Sequence, residues 1–163
     1  MEQEIERKWL IKTMPDLTKY PPLRDERYYL FADDTVSLRF QQRGEQFEIE
    51  RMETIGELTR NQAKLSIGAK EFETLKQKAK GPLVRDSYLI QRADPQITLK
   101  IYRELFEGLM RIEVEFTSLE QAKSFVAPDW FGAEMTDSPL SYDSKLVNMS
   151  KEEFKSLLEN INH

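Results

Sequence analysis

Apolar and polar residues alternate with period two through most of the chain, a pattern that predicts β-strands. Near the start, Glu4, Glu6 and Lys8 share one face of a first strand, and residues 27–31 read as a second. Val36, Leu38 and Phe40 alternate with Ser37, Arg39 and Gln41. After a turn at Arg43-Gly44, Phe47 and Ile49 alternate with Glu48 and Glu50, so this stretch is a hairpin with one apolar and one polar face. Ala63, Leu65 and Ile67 then alternate with Gln62, Lys64 and Ser66. Residues 84–91 form a further strand, and Ile97, Leu99 and Ile101 alternate with Thr98, Lys100 and Tyr102. Last, Met110, Ile112, Val114 and Phe116 alternate with Arg111, Glu113 and Glu115, which makes about eight strands in all.

Three segments carry helical spacing instead. Residues 69–80 place Phe72, Leu75 and Ala79 on one face and stop at Gly81-Pro82. Ser118 with Gln121 forms a capping box ahead of a helix to Val126, and Ser150 with Glu153 repeats it before Phe154, Leu157 and Leu158.

An antiparallel sheet of this many strands must manage its edges, and closing into a barrel is the surest way. Two closures fit the alternation: apolar faces inward as a core, or charged faces inward around a tunnel with apolar faces outward beneath the helices. Three amphipathic helices that need apolar surface to cover favour the second.

Composition narrows the chemistry. The 163 residues read as one domain, 1–163, with 33% charged residues and a net charge of −5. That balance argues against a nucleic-acid duplex as partner. No apolar run is long enough for a membrane span, and the acidic start lacks the order of a signal peptide, so a cytoplasmic location is expected. There is no cysteine, and the one histidine is His163. Thiolate and His/Cys zinc sites are thereby excluded, which leaves a hard, oxygen-ligated Mg²⁺ or Mn²⁺ as the reasonable metal.

Glu4-Ile5-Glu6-Arg7-Lys8 puts two carboxylates about 7 Å apart on one side of a strand. Left unpaired inside a barrel they would repel each other. A divalent cation between them, with Lys8 compensating, removes that penalty, and Glu113-Val114-Glu115 supplies a second pair.

These residues carry a resemblance. Glu4-Ile5-Glu6-Arg7-Lys8-Trp9-Leu10 is similar to the opening signature of the CYTH family, the triphosphate tunnel metalloenzymes. Val36-Ser37-Leu38-Arg39, Ile112-Glu113-Val114-Glu115-Phe116, the block from Pro128 to Thr136 and Tyr142-Asp143-Ser144-Lys145-Leu146 also resemble bacterial members. The resemblance implies an all-β-dominated (α+β) fold, an eight-stranded antiparallel tunnel with flanking helices. It implies hydrolysis of inorganic triphosphate, thiamine triphosphate or nucleoside triphosphates with Mg²⁺ or Mn²⁺, or cyclisation of a nucleotide as in class IV adenylate cyclases. Glu4, Glu6, Glu113 and Glu115 would ligate the metal, and Lys8, Arg39 and Lys145 would contact phosphate oxygens. Tyr29, or Tyr28 if the register slips, matches a tunnel tyrosine that pairs with the opening lysine and would act with Lys8 in catalysis.

The middle of the chain departs from that pattern. Gln41 stands in place of a second arginine, Met52 in place of a lysine (with Arg51 adjacent), and Gln62 and Lys64 in place of a Glu-x-Glu. Asp86 and Tyr88 replace a Lys-x-Arg, and Thr98 and Lys100 an acidic pair. The strand-face cations assigned inward are Lys8, Arg39, Arg43, Lys64, Lys100, Arg111 and Lys145. The matching anions are Glu4, Glu6, Glu48, Glu50, Asp86, Glu113 and Glu115. Either Lys64, Lys100 and Arg111 join the phosphate-binding set and hydrolysis survives, or the charges pair with one another and the protein binds polyphosphate without turnover. Trp130 and Phe131 are expected as core beneath the last helix and Trp9 between barrel and helix; whether the chain dimerises stays open.

Overall fold

The alternation resolves into nine antiparallel strands in the computed structural model, which describes residues 2–161. They are β1 (Glu2–Ile11), β2 (Leu23–Ala32), β3 (Val36–Arg43), β4 (Gln46–Gly56), β5 (Thr59–Ser66), β6 (Lys80–Gln91), β7 (Gln96–Arg103), β8 (Met110–Phe116) and β9 (Phe131–Glu134). Their order is β5-β4-β3-β2-β6-β7-β8-β1, and β1 pairs back onto β5, so eight strands close. The closing strand is shared along its length. Glu2–Ile5 pair with β5, Ile5–Trp9 with β8, and Trp9 and Ile11 with β9.

The charged faces turn inward because apolar clusters claim the outer faces along most of the barrel, with a third cluster at one end. Tyr28, Phe40 and Phe72 pack together with Phe47 and Ile49 beneath α1 (Ala69–Lys76). Trp9, Ile112, Val114, Phe116 and Phe131 gather with Ala122 of α2 (Leu119–Ser124). The third cluster joins Leu83, Tyr102, Phe106 and Leu109 to Leu140, to Leu146 of α3 (Asp143–Leu146) and to Phe154 of α4 (Lys151–Ile161). Leu83 and Tyr102 lie two residues from the inward-facing Arg85 and Lys100. With Leu140 and Leu146, they make an apolar layer at one end of the barrel.

Several boundaries differ from the sequence expectation. The helix expected over 69–80 ends at Lys76, and the chain enters β6 at Lys80, through Gly81-Pro82. A Cβ at Gly81 would meet the Arg27 carbonyl oxygen at 2.7 Å, so glycine permits the close approach to β2 that this entry requires. Ser118 Oγ accepts from Gln121 N as expected, but Gln121 Oε1 accepts from Thr117 N, one residue upstream of the box. Phe125 then leaves helical geometry, which stops α2 at Ser124. Phe131 packs on Trp9 and Phe125 beside α2, while α4 covers the cluster of Phe106 and Phe154, so Phe131 is not under the last helix. Among the described residues no helix is long and apolar enough to cross a membrane. His163 lies outside the described residues.

Phe72 is fully buried, edge-on to both Tyr28 and Phe40. Phe72→Ala should therefore cost about 3–5 kcal/mol in urea unfolding. A loss below about 1 kcal/mol, within the range of ordinary surface changes, would show that α1 is not anchored through this ring.

Candidate functional site

The inward faces enclose a cavity of about 300 Å³. Among the described residues, nine cationic side chains and seven carboxylates line it, and no aromatic or aliphatic residue does. Period-two geometry accounts for the sets: Glu2, Glu4, Glu6 and Lys8 come from β1, Arg111, Glu113 and Glu115 from β8, and Arg60, Gln62 and Lys64 from β5.

One carboxylate organises the cationic end. Asp143, the first residue of α3, accepts from Arg27 Nη1 at 3.1 Å and Arg85 Nη1 at 3.0 Å on one oxygen. Its other oxygen accepts from Arg111 Nη2 at 2.9 Å and the Tyr102 hydroxyl at 2.5 Å. Burial alone would raise the Asp143 carboxyl, but Arg111, Arg85 and Arg27 outweigh it and hold the group well below the usual carboxylate range. Asp25 repeats the arrangement on a smaller scale, accepting from Arg85 Nε at 3.1 Å and Arg43 Nε at 2.9 Å. Glu50 accepts from Arg39 Nη2 at 2.7 Å and Gln41 Nε2 at 2.6 Å, and Gln41 also reaches Glu48 at 2.6 Å. Arg27 Nε lines this region buried and, among the described residues, without a hydrogen-bond partner. Lys100 donates to Ser87 Oγ at 2.9 Å and stands 3.8 Å from Glu113. Burial, with Arg85 alongside, brings its ammonium down to about 7.

The acidic residues collect on β1 and β8. Pairing between these strands sets Glu6 opposite Glu115 and Lys8 opposite Glu113. Lys8 Nζ is 3.0 Å from Glu6, donates to the Ser141 carbonyl and lies 5.0 Å from the centre of the Tyr142 ring. Arg111 Nη2 donates to Glu113 at 2.8 Å. Arg60 Nη2, from the opposite edge of β1, donates to Glu4 Oε1 at 2.9 Å and to Glu6 Oε1 at 3.0 Å. Glu4 is raised by burial and then by Glu6; Glu115 is raised by burial, Glu6 and Glu113. For Glu6, burial is outweighed by Lys8 and Arg60, which lower it to about 2. Among the described residues, no three carboxylates converge tightly enough to form a ready-made metal cage. The donor set is nevertheless all oxygen, as a hard divalent ion requires, and a positive group already sits against Glu4 and Glu6. The residues fit such an ion.

Glu4, Glu6, Lys8, Arg39, Lys64, Lys100, Arg111, Glu113 and Glu115 all line the cavity. Lys145 does not. It is exposed on α3 over the Tyr142 ring, in a neighbouring recess of about 120 Å³, because residues 143 and 145 of a helix point in different directions. The member of that block that enters the cavity is Asp143. Tyr29 is buried but is not part of the lining; its hydroxyl accepts from Arg39 Nη1 at 3.3 Å, and the aromatic ring near Lys8 is Tyr142. Tyr28 faces outward, stacked on Phe40. Asp86 also faces outward, held by Arg24 at 2.9 Å and Arg103 at 3.0 Å, and Arg51 pairs outside with Glu53 at 3.1 Å. Arg85 and Ser87 supply the inward face of β6, one residue out of step with the expected Asp86 and Tyr88. Arg27, Arg60 and Asp143 are lining residues that sequence reasoning did not select. Arg27 is two residues before Tyr29 and Arg60 two before Gln62, so the alternation itself carried the signal.

Removing the Asp143 charge leaves three buried guanidinium groups without their shared partner. Asp143→Asn should cost about 3–5 kcal/mol at pH 7. The folded carboxyl titrates below its ordinary value of 3.8. Its contribution is therefore complete above that value and lost as pH falls through the folded value. Urea midpoints at pH 7 and pH 3 check both points: the gap between wild type and variant should shrink at the lower pH.

No family model matches the chain. An inorganic triphosphatase of Nitrosomonas europaea is 33% identical over 150 residues, covering 90% of this chain and 97% of that protein. A crystal structure of an inorganic triphosphatase superposes with a TM-score of 0.63 at 27% identity, over 90% of this chain and 98% of the other. A Pyrococcus horikoshii protein shares the fold at a TM-score of 0.56 and 10% identity, covering 92% and 93% of the two chains. A relative aligned along nine-tenths of the chain, and eight strands closed around inward-turned charges, lead to one assignment: the chain belongs to the CYTH, or triphosphate tunnel metalloenzyme, family.

Proposed function

We propose that the protein is a metal-dependent triphosphatase acting on inorganic triphosphate. The observation that carries this reading is the lining: among the described residues cations outnumber carboxylates, and no aromatic or aliphatic residue takes part. A nucleobase or thiamine ring would find no aromatic or aliphatic side chain to pack on there, whereas a chain of phosphates is anionic along its whole length and suits such a wall throughout. The curated relative, itself an inorganic triphosphatase, supports the same choice.

Glu4, Glu6, Glu113 and Glu115 are the residues that would hold Mg²⁺ or Mn²⁺. When bound, the ion supplies Lewis-acid neutralisation of phosphoryl oxygens. The chain's own side chains do the rest. Arg39, Arg111, Lys8, Lys64 and Lys100 bind phosphate oxygens, and the unpartnered Arg27 Nε offers one further donor. Tyr29 steadies Arg39 from behind the wall. Phosphoryl transfer asks chiefly for positioning and charge stabilisation. Water bonds to the terminal phosphorus as the bridging P–O bond breaks, giving orthophosphate and pyrophosphate. Lys100, brought close to neutrality by burial, can exchange a proton in the working range.

The mutual pairing of Asp143, Asp25 and Glu50 with cavity arginines favours one alternative, binding without turnover, since these charges are already satisfied by one another. Phosphate release from tripolyphosphate separates the two. With Mg²⁺ or Mn²⁺ we expect turnover that chelation abolishes, about tenfold or more faster than with ATP. Glu6→Gln should lower it by about tenfold or more, equivalent to about 1.4 kcal/mol of barrier. Tripolyphosphate that raises the melting temperature without being cleaved would replace the hydrolase reading with the binding one.

A further inference from the structure

We infer that Arg60 occupies a cation's place at the Glu4–Glu6 pair and competes with a divalent ion for it. The inference rests on the metal-dependent reading above and adds a component to that site.

A single nitrogen makes both contacts. Arg60 Nη2 lies 2.9 Å from Glu4 Oε1 and 3.0 Å from Glu6 Oε1, so one positive group bridges the two carboxylates of the first strand. The register fixes it there, because Arg60 is the direct cross-strand partner of Glu4. A guanidinium cannot lose its charge at any pH at which the protein is folded. Glu6 Oε1 already accepts from Lys8 Nζ as well, at 3.0 Å, so a divalent ion drawn to these oxygens would meet a fixed positive charge at contact range and compete with Arg60 for the same acceptors.

The surroundings allow Arg60 to move. It lines the main cavity of about 300 Å³, a recess of about 120 Å³ beside Ser37 and Tyr142, and a smaller one of about 40 Å³ beside Leu58 and Thr136. It stands where all three meet, so leaving the carboxylates requires a side-chain rotation and no rearrangement of β5. The device keeps the carboxylates compensated while the site waits. Binding of metal alone is correspondingly weakened, since two charge-assisted hydrogen bonds must break first.

Mn²⁺ alone, titrated into the intact protein and followed by the loss of its free-ion EPR signal, tests this without reference to turnover. R60Q removes the competitor, and R51Q removes the same charge from the outer surface, where Arg51 pairs with Glu53. R60Q should bind Mn²⁺ about tenfold more tightly than wild type, the scale set by one charge-assisted hydrogen bond, with R51Q unchanged. Should R60Q fail to fold, R60K keeps the charge but loses the bridging reach, and it should tighten binding by a smaller factor. Binding by the folded variant that equals wild type or is weaker overturns the role of Arg60 and leaves the metal reading standing. Mn²⁺ bound by none of the proteins overturns the metal reading and this inference with it.

Discussion

Three guanidinium groups and a phenol converge on the Asp143 carboxylate, and the rest of the molecule is arranged around keeping that kind of charge buried. An ion taken out of water is costly, and an unpaired one is costlier than any single apolar contact can offset. The barrel meets the constraint by making its most buried acids serve several bases. Asp143 joins β2, β6 and β8 through Arg27, Arg85 and Arg111; Asp25 and Glu50 draw in further arginines. The network replaces a packed core inside the strands and holds the guanidinium planes in fixed orientations. That preorganisation is what a phosphate chain needs from its binding site.

Much of the architecture was visible in the alternation. Strand positions follow it from Val36 to Glu50 and from Ile97 to Phe116, because each residue faces one of two sides and the sides differ in chemistry. The direction of closure was not readable from periodicity, which is symmetric between the two; the opening Glu-x-Glu-x-Lys and the helices broke that symmetry. Where both faces of a strand are polar, the phase is lost. On β6, Arg85 and Ser87 alternate with Asp86 and Tyr88, and only pairing with β7 and β2 decides which set points in.

The site shows the same division. The carboxylates of β1 and β8 are where strand geometry puts them. Asp143 escaped notice because α3 spans four residues, too short to show periodicity, and Lys145 in the same block looked the better candidate. Arg27 already begins the second strand as read from the sequence, and Arg60 lies two residues before the fifth, so the alternation reaches both. What alternation cannot express is partnership: that one arginine bridges Glu4 and Glu6, or that Lys100 rests on Ser87, depends on strands far apart in sequence.

Because the greasy layers beneath α1 and α2 lie outside the strands, and the one beneath α4 closes an end of the barrel, folding stability and ligand preference draw on largely separate sets of residues. An inward lysine can replace an inward glutamate without disturbing a single aromatic contact, provided some neighbour rebalances the charge. Lys64 and Lys100, where the sequence resemblance led one to expect acids, each lie within 4 Å of a carboxylate. Such a scaffold can drift from one anion to another through changes of sign alone.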